Sequence, residues 1–179
     1  INSDEVTKWI KNKSPDIMFC FGWSQIIRDK VLKIPKEGVI GYHPAMLPKN
    51  RGRHPLIWAL ANGQNSTGST FFKMNSGTDT GDIVSQKKIK IYKYDDASSL
   101  YKKMQKSAKV QISTIINKIN TNKLTQKKQK NKNSNYLRKR NIADGKIDWR
   151  MRATDIHNLI RALTRPYVGA HFTINEKIF

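Results

Sequence analysis

Short apolar runs alternate along this chain with segments of helical spacing, and this alternation restricts the fold more than any other feature. The runs at residues 17–21 and 39–43 are bounded by Pro, Gly or polar residues, which is typical of buried strands in a parallel sheet. From residue 97 to 120, apolar side chains recur at the spacing of an amphipathic helix. The pattern predicts an α/β fold with a Rossmann-like, mostly parallel sheet flanked by helices.

Further elements follow from local signals. We expect a helix from Ser24 to Pro35, because Ser is a favoured capping residue and the apolar residues after it keep helical spacing. A second helix is expected over 55–62, with Pro in its first turn. Residues 69–74 and 83–91 read as strands.

The chain is strongly basic, and its excess charge is unevenly distributed. Its 179 residues include 34 Lys and Arg against 13 Asp and Glu, a formal net charge of +21. No Asp or Glu occurs between Asp96 and Asp144, and residues 118–132 are rich in Lys, Asn and Gln without aromatic side chains. That composition favours a solvated linker over a binding surface, while so basic a protein leaves RNA binding open. We predict a catalytic region at 1–124, a basic linker at 125–143 and the start of a C-terminal region at 144–179.

Cysteine, histidine and hydropathy patterns exclude several classes of protein. Cys20 is the only cysteine, so disulfides within the chain and cysteine-rich zinc sites are excluded. His54, His157 and His171 lack metal-ligand spacing, so we expect no metal and interpret them as surface or packing residues. No apolar run approaches the length of a membrane-spanning helix, and we expect a cytoplasmic setting without a membrane partner. Because the chain begins at Ile1 and both ends fall in patterned sequence, we expect a fragment of a longer protein.

Two polar motifs each follow a predicted strand. Residues 43–52 read HPAMLPKNRG, and residues 77–82 read GTDTGD. Active sites of α/β sheets lie at the carboxyl ends of strands, so the two loops are expected to meet. An imidazole titrates near neutrality and a carboxylate can orient it, which makes His43 and Asp79 the candidate catalytic pair. The structural alternatives are a hydrogen-bonded histidine at a strand end and a turn-capping aspartate.

In this order and at this separation, the motifs resemble those of the folate-dependent formyltransferases. That family includes methionyl-tRNA formyltransferases and sugar-nucleotide N-formyltransferases. The resemblance covers most of the chain and continues into residues 144–172 with Gly-Lys-Ile-Asp-Trp. It implies a formyltransferase fold whose N-terminal strand–helix units are missing here. It also implies that His43 and Asp79 catalyse formyl transfer from 10-formyltetrahydrofolate to a primary amine.

One position departs from the family pattern. The family usually has an Asn two residues before the catalytic histidine, where this chain has Gly41. One good oxyanion donor in acyl transfer contributes about 3–4 kcal/mol, so the missing amide bears directly on activity. Three functions stay open: a sugar-nucleotide N-formyltransferase, a methionyl-tRNA formyltransferase, and a catalytically impaired RNA-binding protein with the same fold.

The resemblance also implies the binding residues. A pterin ring needs a slot with apolar walls and backbone groups for its amide edge. The matching residues are Phe21, Gly22, Trp23, Ile27, Val39, Ile40, Met74, Asn75, Ser76, Gly77 and Thr78, although core packing explains Ile27 and Ile40 nearly as well. An exposed loop with several donors, at Lys49, Asn50, Arg51 and Arg53, suits a phosphate-bearing acceptor. We favour a nucleotide-linked amino sugar over methionyl-tRNA as the acceptor, and a homodimer stays open.

Overall fold

Five helices and eight strands follow one another along residues 1–179, all of which the computed structural model describes. In chain order they are α1 (Asp4–Lys13), β1 (Met18–Cys20), α2 (Asp29–Leu32), β2 (Val39–His43), β3 (Arg51–Gly52), α3 (Pro55–Ala61), β4 (Ser66–Lys73), β5 (Ile83–Lys90), α4 (Ala97–Asn120), β6 (Tyr136–Leu137), α5 (Ala153–Ala162), β7 (Thr173–Ile174) and β8 (Lys177–Ile178). Single 3₁₀ turns lie at Asn131–Asn133 and Ile142–Gly145. None of the helices, α4 included, combines the length and hydrophobicity that a membrane crossing requires.

The central sheet contains four strands in the order β1, β2, β4, β5. β1 and β2 are parallel, whereas β2 pairs with β4 and β4 pairs with β5 in the antiparallel sense. The α/β class with flanking helices is therefore confirmed, and the expectation of a mostly parallel sheet is corrected to a mixed one. The connection 74–82 has no helix and is shorter than the roughly twelve residues that a parallel crossover needs, so β4 and β5 run in opposite directions.

Helices cover both faces of this sheet, and strand alternation decides which face each residue of β2 joins. Val39 packs with Val31 and the other apolar residues of α1 and α2 on one face. Ile40 packs with Phe71 and with Ile115 of α4 on the other. A third and larger apolar cluster joins α3, α4 and α5. The sheet is therefore a rigid support for the loops at its end.

The predicted helix from Ser24 is wrong in its first half, because only Asp29–Leu32 is helical. The side chain of Asn2 donates to the carbonyl oxygen of Ile26 at 2.8 Å and accepts from the backbone N–H of Arg28 at 2.9 Å. These long-range hydrogen bonds satisfy backbone groups that a helix would otherwise use. Residues 24–28 therefore form an irregular segment beside the end of the sheet.

The basic interval 125–143 packs against the rest of the protein. Lys127 pairs with the start of β5, and β6 pairs in parallel with β3. The indole N–H of Trp58 donates to the carbonyl oxygen of Arg138 at 3.0 Å, and its ring stacks with the guanidinium groups of Arg138 and Arg140. A solvated linker would make no such contacts, so that part of the prediction is corrected. The lysines of the interval are exposed, but its backbone and several other side chains are held in place.

Candidate active site

Two loops at one end of the sheet place His43 beside Asp79. β2 ends at His43, and the connection between β4 and β5 carries Asp79. Nδ1 of the imidazole lies 3.5 Å from Oδ2 of the carboxylate, and the two side chains are only 7% and 17% exposed. The structure thus brings the two predicted catalytic side chains together, although 36 positions separate them along the chain.

A hydrogen bond determines which ring nitrogen of His43 is available. Nε2 lies 2.7 Å from the carbonyl oxygen of Asn50. A carbonyl only accepts, so Nε2 carries a proton. The neutral ring then has its lone pair on Nδ1, the nitrogen that faces Asp79. A proton taken up at Nδ1 would point towards a carboxylate, an arrangement suited to proton transfer at that nitrogen.

The carboxylate of Asp79 is held by the neighbouring strand β3. The backbone N–H of Gly52 donates to Oδ2 of Asp79 at 2.8 Å. Asp79 itself has a left-handed φ of 54°, a conformation that Asp adopts more readily than most residues with a side chain. Backbone conformation and a backbone donor therefore fix the direction in which the carboxylate points.

Close packing at Gly81 fixes the position of the loop that carries Asp79. A Cβ at this position would lie 1.5 Å from the backbone oxygen of Lys73, so no side chain fits. We expect Gly81→Ala to lower the free energy of unfolding by about 3 kcal/mol, because the added methyl group must displace backbone atoms. Denaturant unfolding measures the change, with Ser76→Ala, an exposed position in the same loop, as the control. Equal unfolding midpoints for the two variants would contradict this packing.

A cleft of about 620 Å³ opens beside the pair. Its walls come from residues 22–27, residues 52–55, Phe72 and residues 74–79. Asp79 is part of the wall, whereas His43, 5% exposed, is not. The predicted slot residues that line the cleft are Gly22, Trp23, Ile27, Met74, Asn75, Ser76, Gly77 and Thr78. The structure therefore brings most of the predicted slot together around one cleft.

Three predicted slot residues lie elsewhere. Val39 and Ile40 are 1% and 0% exposed and pack in the cores on the two faces of the sheet. Phe21 packs edge-on against Phe71, away from the cleft walls. Because helices cover both faces of this sheet, the side chains of Val39 and Ile40 in β2 are buried on either side, whereas Phe21 is 44% exposed and is held by its contact with Phe71. The expectation that these three side chains line the slot is corrected. The link between Val39 and the cleft is its backbone carbonyl oxygen, which accepts a hydrogen bond from the N–H of the lining residue Met74 at 2.8 Å.

The loop after His43 has exposed and inward-facing positions. Lys49 and Arg53 are exposed, and Arg53 also lines the cleft. Asn50 turns inward, where its carbonyl oxygen accepts from His43 and its side-chain oxygen accepts from the amide of Asn135 at 3.1 Å. Of the predicted acceptor-binding side chains, Lys49 and Arg53 are therefore the ones that a ligand can reach.

Arg51 is 2% exposed, which corrects the prediction that it lies on an exposed loop. Its guanidinium donates to three side chains, namely Gln129 at 2.7 Å, Asn131 at 3.0 Å and the hydroxyl of Tyr136 at 3.1 Å. All three belong to the basic interval 125–143, and nothing in the local sequence distinguishes them from the polar residues around them. A guanidinium with these partners acts within the protein rather than on a ligand.

His54 lines the cleft, although the sequence predicts only a surface or packing role for it. Its Nδ1 accepts from the backbone N–H of Arg140 at 3.3 Å. Burial, followed by the neighbouring charges of Arg53 and Arg140, lowers the pKa of His54. The ring is therefore neutral near pH 7 and carries its proton on Nε2, where it can donate a hydrogen bond. The sequence signal for this residue is its place directly after Arg53, in the same motif as the predicted acceptor loop.

Comparisons with known proteins identify the family of this chain. Residues 2–116 match the family described as formyl transferase, and residues 140–179 match the formyl transferase C-terminal domain. The bifunctional polymyxin resistance protein ArnA of Wigglesworthia glossinidia brevipalpis is 41% identical over 173 residues, which cover 95% of this chain and 26% of ArnA. The chain thus spans about a quarter of the length of that curated relative.

Solved structures give the same result. WlaRD, a sugar 3N-formyl transferase determined in the presence of dTDP and 5-N-formyl-THF, is 30% identical, with a TM-score of 0.71 over 82% of this chain and 53% of its own. A 4-N formyltransferase from Francisella tularensis is 25% identical, with a TM-score of 0.82 over 98% of this chain and 72% of its own. The first family match contains the His43–Asp79 pair and every residue that lines the cleft. On these grounds the chain belongs to the formyl transferase family.

Proposed function

We propose that this chain transfers the formyl group of 10-formyltetrahydrofolate to the primary amine of a nucleotide-linked amino sugar. The observation that carries the proposal is the pair His43 and Asp79, 3.5 Å apart, with Asp79 in the wall of the cleft. At about 620 Å³, the cleft has the size of a small-molecule site. One relative supports the choice of acceptor, since WlaRD is a sugar 3N-formyl transferase by name.

The cleft walls fit a flat, bicyclic donor. Trp23 is 50% exposed and supplies an aromatic face, and Met74 supplies a flexible apolar one. A Cβ at Gly22 would meet no atom within 4 Å, so open space lies beside its backbone. The backbone of residues 74–78 offers donors and acceptors to the amide edge of a pterin. WlaRD, solved with 5-N-formyl-THF, supports a folate donor for this chain.

Proton movement is the task of the catalytic pair. When bound, the donor supplies a formyl carbon that bonds to the amine nitrogen as its bond to the folate nitrogen breaks. The amine must lose one proton, and the folate nitrogen must gain one, so a single group that takes and returns a proton balances the reaction. Nδ1 of His43 has this role, because Nε2 is engaged with Asn50, and the proton passes through the carboxylate of Asp79, which lines the cleft as His43 does not. Asp79 orients the ring and faces the nitrogen that receives the proton.

Exposed donors at the cleft support a phosphate-bearing acceptor. Arg53 is an exposed cation in the cleft wall, and neutral His54 adds an N–H beside it. Lys49 is a second exposed cation on the same loop, outside the wall. A diphosphate presents several acceptor oxygens with negative charge, which such a group of donors can bind. The high net charge of +21 favours the same class of anionic substrate.

A panel of acceptors tests the proposal. The protein is incubated with 10-formyltetrahydrofolate and, in turn, with dTDP- and UDP-linked amino sugars and with charged initiator methionyl-tRNA, and formylated product is measured by mass spectrometry. We expect product with a sugar nucleotide only. Product with methionyl-tRNA alone would replace the proposal with that acceptor. RNA binding without any affinity for a folate would instead indicate a protein that keeps the fold and has lost the activity.

Trp23 provides a test of the donor site alone. We expect Trp23→Ala to weaken binding of 5-formyltetrahydrofolate by about tenfold, because a stacked aromatic face contributes on the order of 1 kcal/mol or more. Isothermal titration calorimetry measures the dissociation constant. Trp9→Ala, which removes an indole that is 62% exposed on α1 and lies outside the cleft walls, is the matched control. Equal affinities for the two variants would place the folate outside this cleft.

A further inference from the structure

We infer that Gln129 positions the catalytic carboxylate of Asp79, which makes the basic interval 125–143 part of the active site. The kinetic side of this inference rests on the proposed function. Residue 129 lies between the two family matches, which end at 116 and resume at 140. Neither the motifs nor the family matches therefore assign it a role.

The side chain of Gln129 links two elements of the site. Its Nε2 donates to the backbone oxygens of Asp79 at 2.9 Å and Gly81 at 2.7 Å. Its Oε1 accepts from the guanidinium of Arg51 at 2.7 and 3.2 Å. Because a carbonyl only accepts and a guanidinium only donates, these partners permit a single orientation of the amide. The side-chain amide of Gln129 therefore donates two hydrogen bonds and accepts two, all within the site.

Both ends of the amide lead to Asp79. The donated hydrogen bonds hold the backbone of the Asp79 loop directly. The accepted one holds Arg51, and the next residue, Gly52, donates its N–H to the carboxylate of Asp79 at 2.8 Å. The distance that depends on these contacts, from Nδ1 of His43 to Oδ2 of Asp79, is 3.5 Å. It is already at the upper limit for a hydrogen bond, so a small displacement of the loop separates the pair.

Other contacts dock the interval without Gln129. Arg51 also donates to Asn131 and Tyr136, β6 pairs with β3, and Trp58 stacks with two arginines further along. The segment is therefore expected to stay in place when residue 129 is changed. This separates the positioning of Asp79 from folding of the interval.

Gln129→Glu tests the inference directly. The carboxylate still accepts from Arg51, so the buried guanidinium keeps a partner, but it cannot donate to the backbone oxygens of Asp79 and Gly81. We expect kcat for formyl transfer to fall about 10- to 100-fold, with KM for both substrates within about twofold of wild type. Gln126→Glu makes the same charge change at an exposed position of the interval and is expected to have wild-type kinetics.

A second readout needs no turnover. The imidazole resonances of His43 in ¹H–¹⁵N NMR spectra report its contact with Asp79, and we expect them to shift in Gln129→Glu but not in Gln126→Glu. Unchanged kcat together with unchanged resonances would overturn the inference. If the wild-type chain had no transfer activity, the proposed function would be contradicted. A shift of the His43 imidazole resonances in the Gln129 variant alone would still support the role of Gln129 in positioning Asp79. Should Gln129→Glu fail to fold, Gln129→Met takes its place, and unfolding of both would make Gln129 a structural residue and end the inference.

Discussion

His43→Gln should lower kcat for formyl transfer by about 10²- to 10⁴-fold, the range that general acid–base catalysis contributes. A glutamine amide can still donate to the carbonyl oxygen of Asn50, as Nε2 of His43 does, so the strand end keeps its hydrogen bond. It cannot accept and return a proton at the position that faces Asp79. The loss is therefore expected in kcat, with the dissociation constant of the folate unchanged.

Steady-state kinetics and folate titration together measure these two effects. His157→Gln is the matched control, since His157 is exposed on α5 and lies outside the cleft walls. If His43→Gln kept a rate within a few-fold of wild type, the histidine would be a hydrogen-bonded residue at a strand end and nothing more. The candidate mechanism would then lose its proton carrier.

Gly41→Asn combined with Met74→Ala should raise kcat on the order of 100-fold. The family pattern places an amide at this position, and one oxyanion donor in acyl transfer contributes about 3–4 kcal/mol. In this chain the space that a side chain would enter is filled by apolar atoms. A Cβ at Gly41 would lie 2.9 Å from Cγ of Met74 and 3.1 Å from Cζ of Phe72. No polar side chain therefore replaces the missing amide at this point of β2.

The two single variants separate the effect of the steric clash with Met74 from the effect of the added amide donor. Gly41→Asn alone introduces the amide against Met74, so we expect a smaller gain in kcat and a lower free energy of unfolding. Met74→Ala alone removes a wall of the cleft, so we expect a higher KM for the folate without a gain in kcat. A double variant that folds and is no faster than wild type would show that another donor already binds the oxyanion.

Elements with a strong local pattern could be predicted closely from the sequence. The strand 39–43 and the helix 97–120 have the predicted bounds, because an apolar run and a long amphipathic stretch each need only their own residues to be recognised. The helix expected from Ser24 fails in its first half for the opposite reason. Its competitor is the side chain of Asn2, which lies 24 residues away from Ile26 and forms hydrogen bonds with the segment.

The same distinction applies to the site. The rule that active sites lie at strand ends places His43 and Asp79 together without any knowledge of their contacts. No comparable rule predicts that Arg51 is buried, because its burial depends on Gln129, which lies 78 residues further along the chain. The sequence thus predicts which two side chains meet at the strand ends, but not the residues that hold them there. The contacts of the holding residues depend on the pairing of β3 with β6, which no local sequence pattern predicts.

The pairing of β3 with β6 also sets the smallest piece of this chain that is worth expressing or grafting. A cut at residue 124, after the last strand of the central sheet and the end of α4, would remove β6, the partner strand of β3, and three of the groups around Arg51. The guanidinium of Arg51, buried in the intact chain, would then face water. The loop that carries Asp79 would lose the two hydrogen bonds that Gln129 donates to its backbone. Protein engineers should therefore keep the polypeptide up to residue 140 together, since residues 125–140 pack against β3, Trp58 and the loop that carries Asp79.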